Sequence, residues 1–193
     1  MSRAREFDVE ETLDRAMRLF WQNGYTETSM RDLVEYTGVA QAGLYSAFGS
    51  KHKLYQAALA HYDESYGNWL FGPLENENSG VDEIFNLFNT ILAAVKSEKF
   101  QNGCLMCNTA IEFGNDADEV LNLARNNVER MSSAIQGALR REKKTGRICK
   151  DLDPASTADF LVCVFYGVAV FSRSKTTYRR IKNSISTALN ILK

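Results

Sequence analysis

An all-α chain is predicted by three features of the sequence. Apolar residues recur every three or four positions through most of its 193 residues, which is the spacing of an amphipathic helix and not the alternation of a strand. Only two prolines occur, Pro73 and Pro154, and both fall where that pattern breaks. Residues that favour helix ends, such as Asn23-Gly24, Gly38, Gly49-Ser50 and Asp153, stand at the boundaries of the periodic stretches. Hydrophobic residues make up 45% of the chain, enough for a core that needs no disulfide or metal staple.

Val9, Leu13, Ala16, Met17 and Phe20 form the stripe of a first helix, expected from about Asp8 to Gln22, with acidic residues in its opening turn where the helix dipole favours them. Thr28 or Ser29 can cap a second, short helix whose inward positions are Met30, Leu33 and Val34, and Gly38 ends it. A third runs from about Gln41 to Ala47, anchored by Leu44 and Phe48. Three helices in about 40 residues pack naturally as a trihelical unit. A fourth is expected from Lys51 to about Leu70, and Phe71 to Ser79 reads as a loop because it holds Gly72, Pro73 and several polar residues.

Further helices are expected over Val81 to Val95, Leu105 to Phe113 and Val120 to Leu139, the last followed by the basic cluster Arg140, Arg141, Lys143 and Lys144. Asp153-Pro154 is a cap followed by a first-turn proline. The helix it opens contains Leu161 to Phe171, eleven consecutive residues without charge. That run falls short of the roughly 20 apolar residues of a membrane span and is apolar on every side, so it is expected to be buried all round. Tyr178, Ile181, Ile185, Ala188, Leu189 and Leu192 form the stripe of a final helix. Two apolar helices joined by a short loop can pair with their twofold mates as a four-helix bundle, so a homodimer is expected through Leu161, Val164, Val168, Phe171, Ile181, Ile185 and Leu189. The expected division is residues 1–50 as a small N-terminal domain, 51–70 as a connecting helix and 71–193 as a larger helical domain that carries the dimer contact.

The stretch Thr28-Ser-Met-Arg-Asp-Leu-Val-Glu-Tyr-Thr-Gly-Val-Ala-Gln-Ala-Gly-Leu-Tyr-Ser-Ala-Phe-Gly-Ser-Lys51 resembles the helix-turn-helix of the TetR family of bacterial transcriptional regulators. The Thr/Ser pair, Asp-Leu, Gly-Val, Gly-Leu-Tyr, Phe and Ser-Lys all match in type and spacing. The resemblance is strong over about residues 8–60 and architectural beyond. It implies a repressor that binds double-stranded operator DNA and is released by a small-molecule effector held in the C-terminal domain. It places Thr28, Ser29, Arg31, Gln41, Ala42, Gly43, Tyr45, Ser46, Lys51 and Lys53 at the DNA, with Tyr45, Thr28 and Lys51 on phosphates. The chemistry is consistent: Gln41 can pair bidentately with adenine, Ala42 can meet a thymine methyl, and short side chains let the helix approach base edges. Lys51, His52 and Lys53 crowd a helix N-terminus where positive charge opposes the dipole, a conflict that an anion such as phosphate relieves.

The departures are also specific. Ala40 stands where the family usually has a capping Ser, Ala47 replaces a His or Tyr, and Val34 and Thr37 are bulkier than the usual alanines. Net charge is −1, and residues 1–55 hold seven basic against eight acidic side chains, which excludes a protein that coats nucleic acid by bulk positive charge. Affinity must come from a few placed groups and from dimerisation.

Gly103-Cys-Leu-Met-Cys-Asn resembles a segment of some TetR-like proteins, including a subgroup that senses electrophiles or oxidants. On that reading Cys104, at a helix N-terminus, has a lowered pKa, and Cys107 one turn away is a resolving partner. The competing reading makes both small buried hydrophobes. Phe85, Phe88, Cys104, Cys107, Phe113, Phe165 and Tyr166 are the candidates for an effector pocket. Cys149 and Cys163 supply no second close pair for zinc, so no metal is expected. No cofactor, no nucleophile-base constellation and no phosphate loop is legible, so no enzyme is expected. No apolar signal core follows the N-terminus, so the chain is expected in the cytoplasm and not at a membrane. The alternatives kept are a cysteine-based redox or electrophile regulator and a helical protein-binding dimer without operator affinity.

Overall fold

The computed structural model describes residues 7–114 and 119–192, and among them every regular element is helical. In chain order these are α1 (Val9–Asn23), α2 (Met30–Thr37), α3 (Gln41–Phe48), α4 (Lys51–Tyr62), α5 (Asn68–Glu75), α6 (Val81–Lys96), α7 (Leu105–Phe113), α8 (Glu119–Thr145), α9 (Pro154–Arg173) and α10 (Tyr178–Leu189). A π-helical turn, Asp63–Gly67, joins α4 to α5, and a 3-10 turn, Asn190–Leu192, follows α10. Residues 1–6 of the expected N-terminal domain, and residues 115–118 and 193 of the expected C-terminal one, lie outside the described residues.

The caps explain why the boundaries fall where they do. Asp8 accepts from the N–H groups of Glu10 and Glu11 to start α1, and Ser29 with Asp32 closes a reciprocal capping box on α2. Asp153 accepts from the Ser156 N–H with Pro154 in the first turn of α9. Gly38 adopts φ 75°, ψ 7°, a left-handed conformation that ends α2 and that a side chain disfavours. Ala40 caps α3 without a side-chain bond, as its lack of a hydroxyl requires.

One expectation fails in the middle of the chain. The connecting helix does not end at Leu70 in a loop from Phe71: the helical path continues through the π-turn and α5 to Glu75, with Pro73 inside α5. Arg130 of α8 holds both sides of the turn. Its guanidinium donates to Asp63, the first residue of the turn, at 3.1 Å, and after the turn to Asn68 at 2.7 Å and to Glu75 at 2.5 and 2.9 Å. The bonds from Arg130 hold the Glu75 carboxyl below its usual range. A local turn with an extra residue survives because tertiary charge-assisted bonds hold it, information no sequence window contains.

The α1, α2 and α3 helices form the N-terminal head, with α1 lying along α4. In the body, α8 runs past α5, α6, α7 and α9, and α10 packs on α6 and α9. Helix α9, at 20 residues, is long and apolar enough by length and composition to cross a membrane, longer than its uncharged run implied. Its Leu161, Val162, Phe165, Val168 and Ala169 are buried within this chain.

Burial also corrects the expected dimer face. Leu161, Val168, Ile181, Ile185 and Leu189 are core side chains of the single chain, so they have no surface to offer a partner. The outer side of α9 instead exposes Phe160, Val170 and Phe171, with Val164 half-buried beside them, and Tyr178 and Ile191 are exposed near the ends of α10. A helix apolar all round has no stripe from which sequence alone could tell the inner from the outer side.

Arg130→Met removes the clamp on the π-turn while keeping an apolar stem. The expected loss is about 2 kcal/mol, or a fall in Tm of roughly 4–8 °C for a chain of this length, read by thermal circular dichroism. An unchanged Tm means the clamp contributes nothing.

Candidate nucleic-acid interface and internal cavity

Helix α3 is held outward by a small plug. Leu44 is buried against the head core, Val39 fills the turn between α2 and α3, and Gln41, Ala42, Tyr45 and Ser46 remain exposed on the opposite face. Thr37, bulkier than its expected counterpart, has a structural use: its hydroxyl donates to Leu33 O and accepts from the Val39 N–H, fixing the turn. Gly43 is not part of the outer face. A Cβ there would meet Val39 Cγ1 at 3.0 Å and Phe7 Cε1 at 3.1 Å, so its missing side chain admits the plug and not a base edge.

The flanking positions divide in the same way. Ser29, Arg31 and Lys53 are exposed. Thr28 is fully buried and its hydroxyl donates to Gly24 O at 2.6 Å, so its side chain shapes the loop and cannot clamp a phosphate. Lys51 sits 4.3 Å from the Tyr25 ring centroid, and burial lowers its pKa. His52 turns its ring toward Tyr25 and Phe113. Of the crowded basic turn, Lys53 alone is exposed, with Lys51 and His52 half-buried. Tyr36, 45% exposed on α2, escaped the sequence reading; an aromatic off the stripe of Met30, Leu33 and Val34 was its signal.

The head is joined to the body by an aromatic junction. Tyr55 of α4 packs edge-on to Phe20 of α1 at 4.8 Å and stacks on Phe113 of α7 at 5.7 Å, while its hydroxyl bonds Thr109 at 2.8 Å. Glu112 of α7 accepts the N–H groups of Tyr25 and Thr26 at 2.9 and 2.5 Å. Burial pushes its carboxyl up, but those bonds and the nearby Lys51 outweigh it, so its pKa lies below the usual value. Phe113 therefore belongs to the junction and does not line the internal cavity.

A cavity of about 160 Å³ lies deeper, where the end of α1, the π-turn, α5 and α9 meet. Trp21, Tyr62, Tyr66, Trp69, Phe71, Phe100, Cys104, Asn127 and Phe165 line it. Of the residues expected there, Cys104 and Phe165 are present. Phe88 and Cys107 are buried elsewhere in the core, Phe85 is half-buried against it, and Tyr166 stacks edge-on to Phe165 from outside the lining. Sequence reading missed Trp21 because it sits next to the α1 stripe and reads as part of the head's own core. Asn127 was missed because a polar residue at 3% exposure is recognisable only from its partners.

Cys104 does stand at the N-cap of α7, yet burial pushes its thiol pKa up, and Cys107 is pushed up to about 11. Both thiols are protonated at neutral pH, the reverse of the lowered pKa expected from the helix dipole, because desolvation outweighs it. Among the described residues no group of three or more His, Cys, Asp or Glu side chains gathers as a metal site.

An exposed short helix on a three-helix head, carried by a larger helical body with an internal cavity, defines a helix-turn-helix DNA-binding regulator. The chain belongs to the tetR family of bacterial regulatory proteins: the family's N-terminal model matches residues 13–58, and a tetracyclin repressor-like C-terminal domain model matches residues 80–186. It is 28% identical over 190 residues to the HTH-type transcriptional repressor ComR of Escherichia coli (strain K12), covering 98% of this chain and 90% of that one. It is 25% identical over 193 residues to the HTH-type regulator YezE of Bacillus subtilis (strain 168), covering 100% of both. Among solved structures, a cysteine mutant of the TetR family regulator CifR complexed with 26-bp operator DNA superposes with a TM-score of 0.87 at 27% identity, covering 100% of both chains.

Glu112→Ala should lower Tm at neutral pH by a few degrees, a loss of about 1 kcal/mol for partly exposed bonds. Because the folded pKa lies below the unfolded value of about 4.3, the contribution is complete above that pH and is lost as pH falls through the folded value. The difference in Tm between wild type and variant should accordingly close in acid, and a difference that persists there would contradict the assignment.

Proposed function

We propose that this regulator is a repressor: two copies present α3 to successive major grooves of an operator, and a small molecule in the cavity releases them. The exposed face formed by Gln41, Ala42, Tyr45 and Ser46, backed by a fully buried Leu44, carries the reading. Gln41 is placed for a base edge, Ala42 for a thymine methyl, and Tyr45, Ser29, Arg31 and Lys53 for backbone phosphates. Relatives support repression by name, ComR among them, and CifR supports operator DNA as the partner.

Dimerisation is assigned to the outer side of α9 and the exposed ends of α10, where Phe160, Val170, Phe171, Tyr178 and Ile191 stand open. A shift in the spacing of the two heads weakens both contacts together, which is how one small ligand can act on a whole operator. The proposed work is on DNA in the cytoplasm, with no catalytic step, metal or cofactor. The cysteine-based alternative is not adopted, since Cys104 and Cys107 are buried and held protonated.

Fluorescence anisotropy on duplex taken from upstream of the protein's own coding sequence tests this. Gln41→Ala should weaken binding by about 5- to 100-fold, the worth of one bidentate base pair contact, and Tyr45→Phe by about fivefold. Both side chains are exposed, so Tm should hold. Unaltered affinity in both variants would contradict the assignment of α3.

A further inference from the structure

Both tryptophans of the chain, Trp21 and Trp69, line the cavity, and Tyr66, Phe71, Phe100 and Phe165 complete an aromatic wall. The volume, about 160 Å³, fixes the scale of what fits. A dry apolar cavity of about 150 Å³ accommodates benzene, so the space suits a single ring with a short arm. Lys99 is the one charged residue among those lining it, and it is exposed. An anion moving past Lys99 loses its water against ring faces with no buried counter-charge. A cation would gain from those faces but must pass the Lys99 ammonium.

The wall also offers a buried side-chain amide, beside the Tyr62 hydroxyl and the Cys104 thiol, which interact with each other. Asn127 donates from Nδ2 to Asp63 Oδ1 at 2.7 Å and accepts at Oδ1 from the Tyr166 hydroxyl at 3.1 Å. An amide has two N–H groups and two carbonyl lone pairs, so these bonds leave one of each for a ligand. Asn127 is only 3% exposed, and water is a poor competitor for them.

We propose that the cavity takes an uncharged molecule of one ring with a short arm bearing a hydroxyl or carbonyl, and that this group hydrogen-bonds Asn127. The inference rests on the reading of the cavity as the effector site and names its ligand class. Occupancy is felt at two points on the way to the head. Asn127 holds Asp63 at the start of the π-turn, on the helical path that leads back through α4 to the head. Trp21, also in the lining, belongs to α1 itself, and its indole N–H donates to Gly103 O at 3.0 Å.

Because both tryptophans line the cavity, intrinsic fluorescence reports its occupancy in the full-length protein without DNA. Benzyl alcohol, toluene, benzoate and benzylamine are the probes. Benzyl alcohol should quench saturably and bind at least about tenfold more tightly than benzoate or benzylamine. Asn127→Leu should weaken benzyl alcohol about fivefold or more and leave toluene unchanged, the toluene arm showing that the cavity is still formed. Benzoate or benzylamine binding as tightly as benzyl alcohol, no saturable change with either neutral probe, or Asn127→Leu moving both neutral probes alike or neither would overturn the proposal. Adding the bound probe to the operator complex separates the two readings: binding without DNA release overturns the effector reading and leaves the cavity's chemistry standing.

Discussion

The orientation of α3 relative to the body depends on the packing around Tyr55. Its ring meets Phe20 and Tyr25 from the head and Phe113 from α7, and its hydroxyl is tied to Thr109. Each such ring pair contributes about 0.5–1.5 kcal/mol beyond the area it buries, and the set joins α1, α4 and α7 at one point. The hydroxyl bond matters as much as the rings, because a buried phenol without a partner costs free energy. Burial raises the Tyr55 pKa, so the phenol stays neutral. A head fixed in this way can report a change in the body, whereas a freely hinged one could not.

Two further ties run between the same parts. Arg173, at the end of α9, donates to the carbonyls of Trp21 and Gln22 at the C-terminal end of α1, where a cation complements the helix dipole. Glu112 holds the loop after α1 by its N–H groups. The cavity lining includes Trp21 of α1, whose carbonyl Arg173 holds, and Asn127, which bonds Asp63 at the start of the Arg130-clamped π-turn.

The helices were legible in the sequence because their signals are local. Asp8, Ser29, Gly38 and Asp153 cap or terminate helices through bonds and dihedrals spanning at most four residues, and their positions could be read before any packing was known. The outward face of α3 was legible for a related reason, since Leu44 and Phe48 anchor it and Gln41, Ala42 and Ser46 are small or polar. What could not be read were choices made by tertiary contact. Thr28 and Gly43 match a DNA-contact pattern by type, yet one is buried under Gly24 O and the other faces Val39. The π-turn depends on an arginine more than 60 residues away. The inner and outer sides of α9 are both apolar, and the cysteine pKa values are set by burial that a helix-end rule does not include.

In the proposed complex two copies, joined through their bodies, hold two α3 helices at a spacing that matches the repeat of DNA. Hydroxyl-radical footprinting of the protein on its operator reads this directly. The account predicts two protected patches on one face of the duplex with centres about 34 Å apart, one helical turn. A single patch, or protection spread evenly along the duplex, would contradict it.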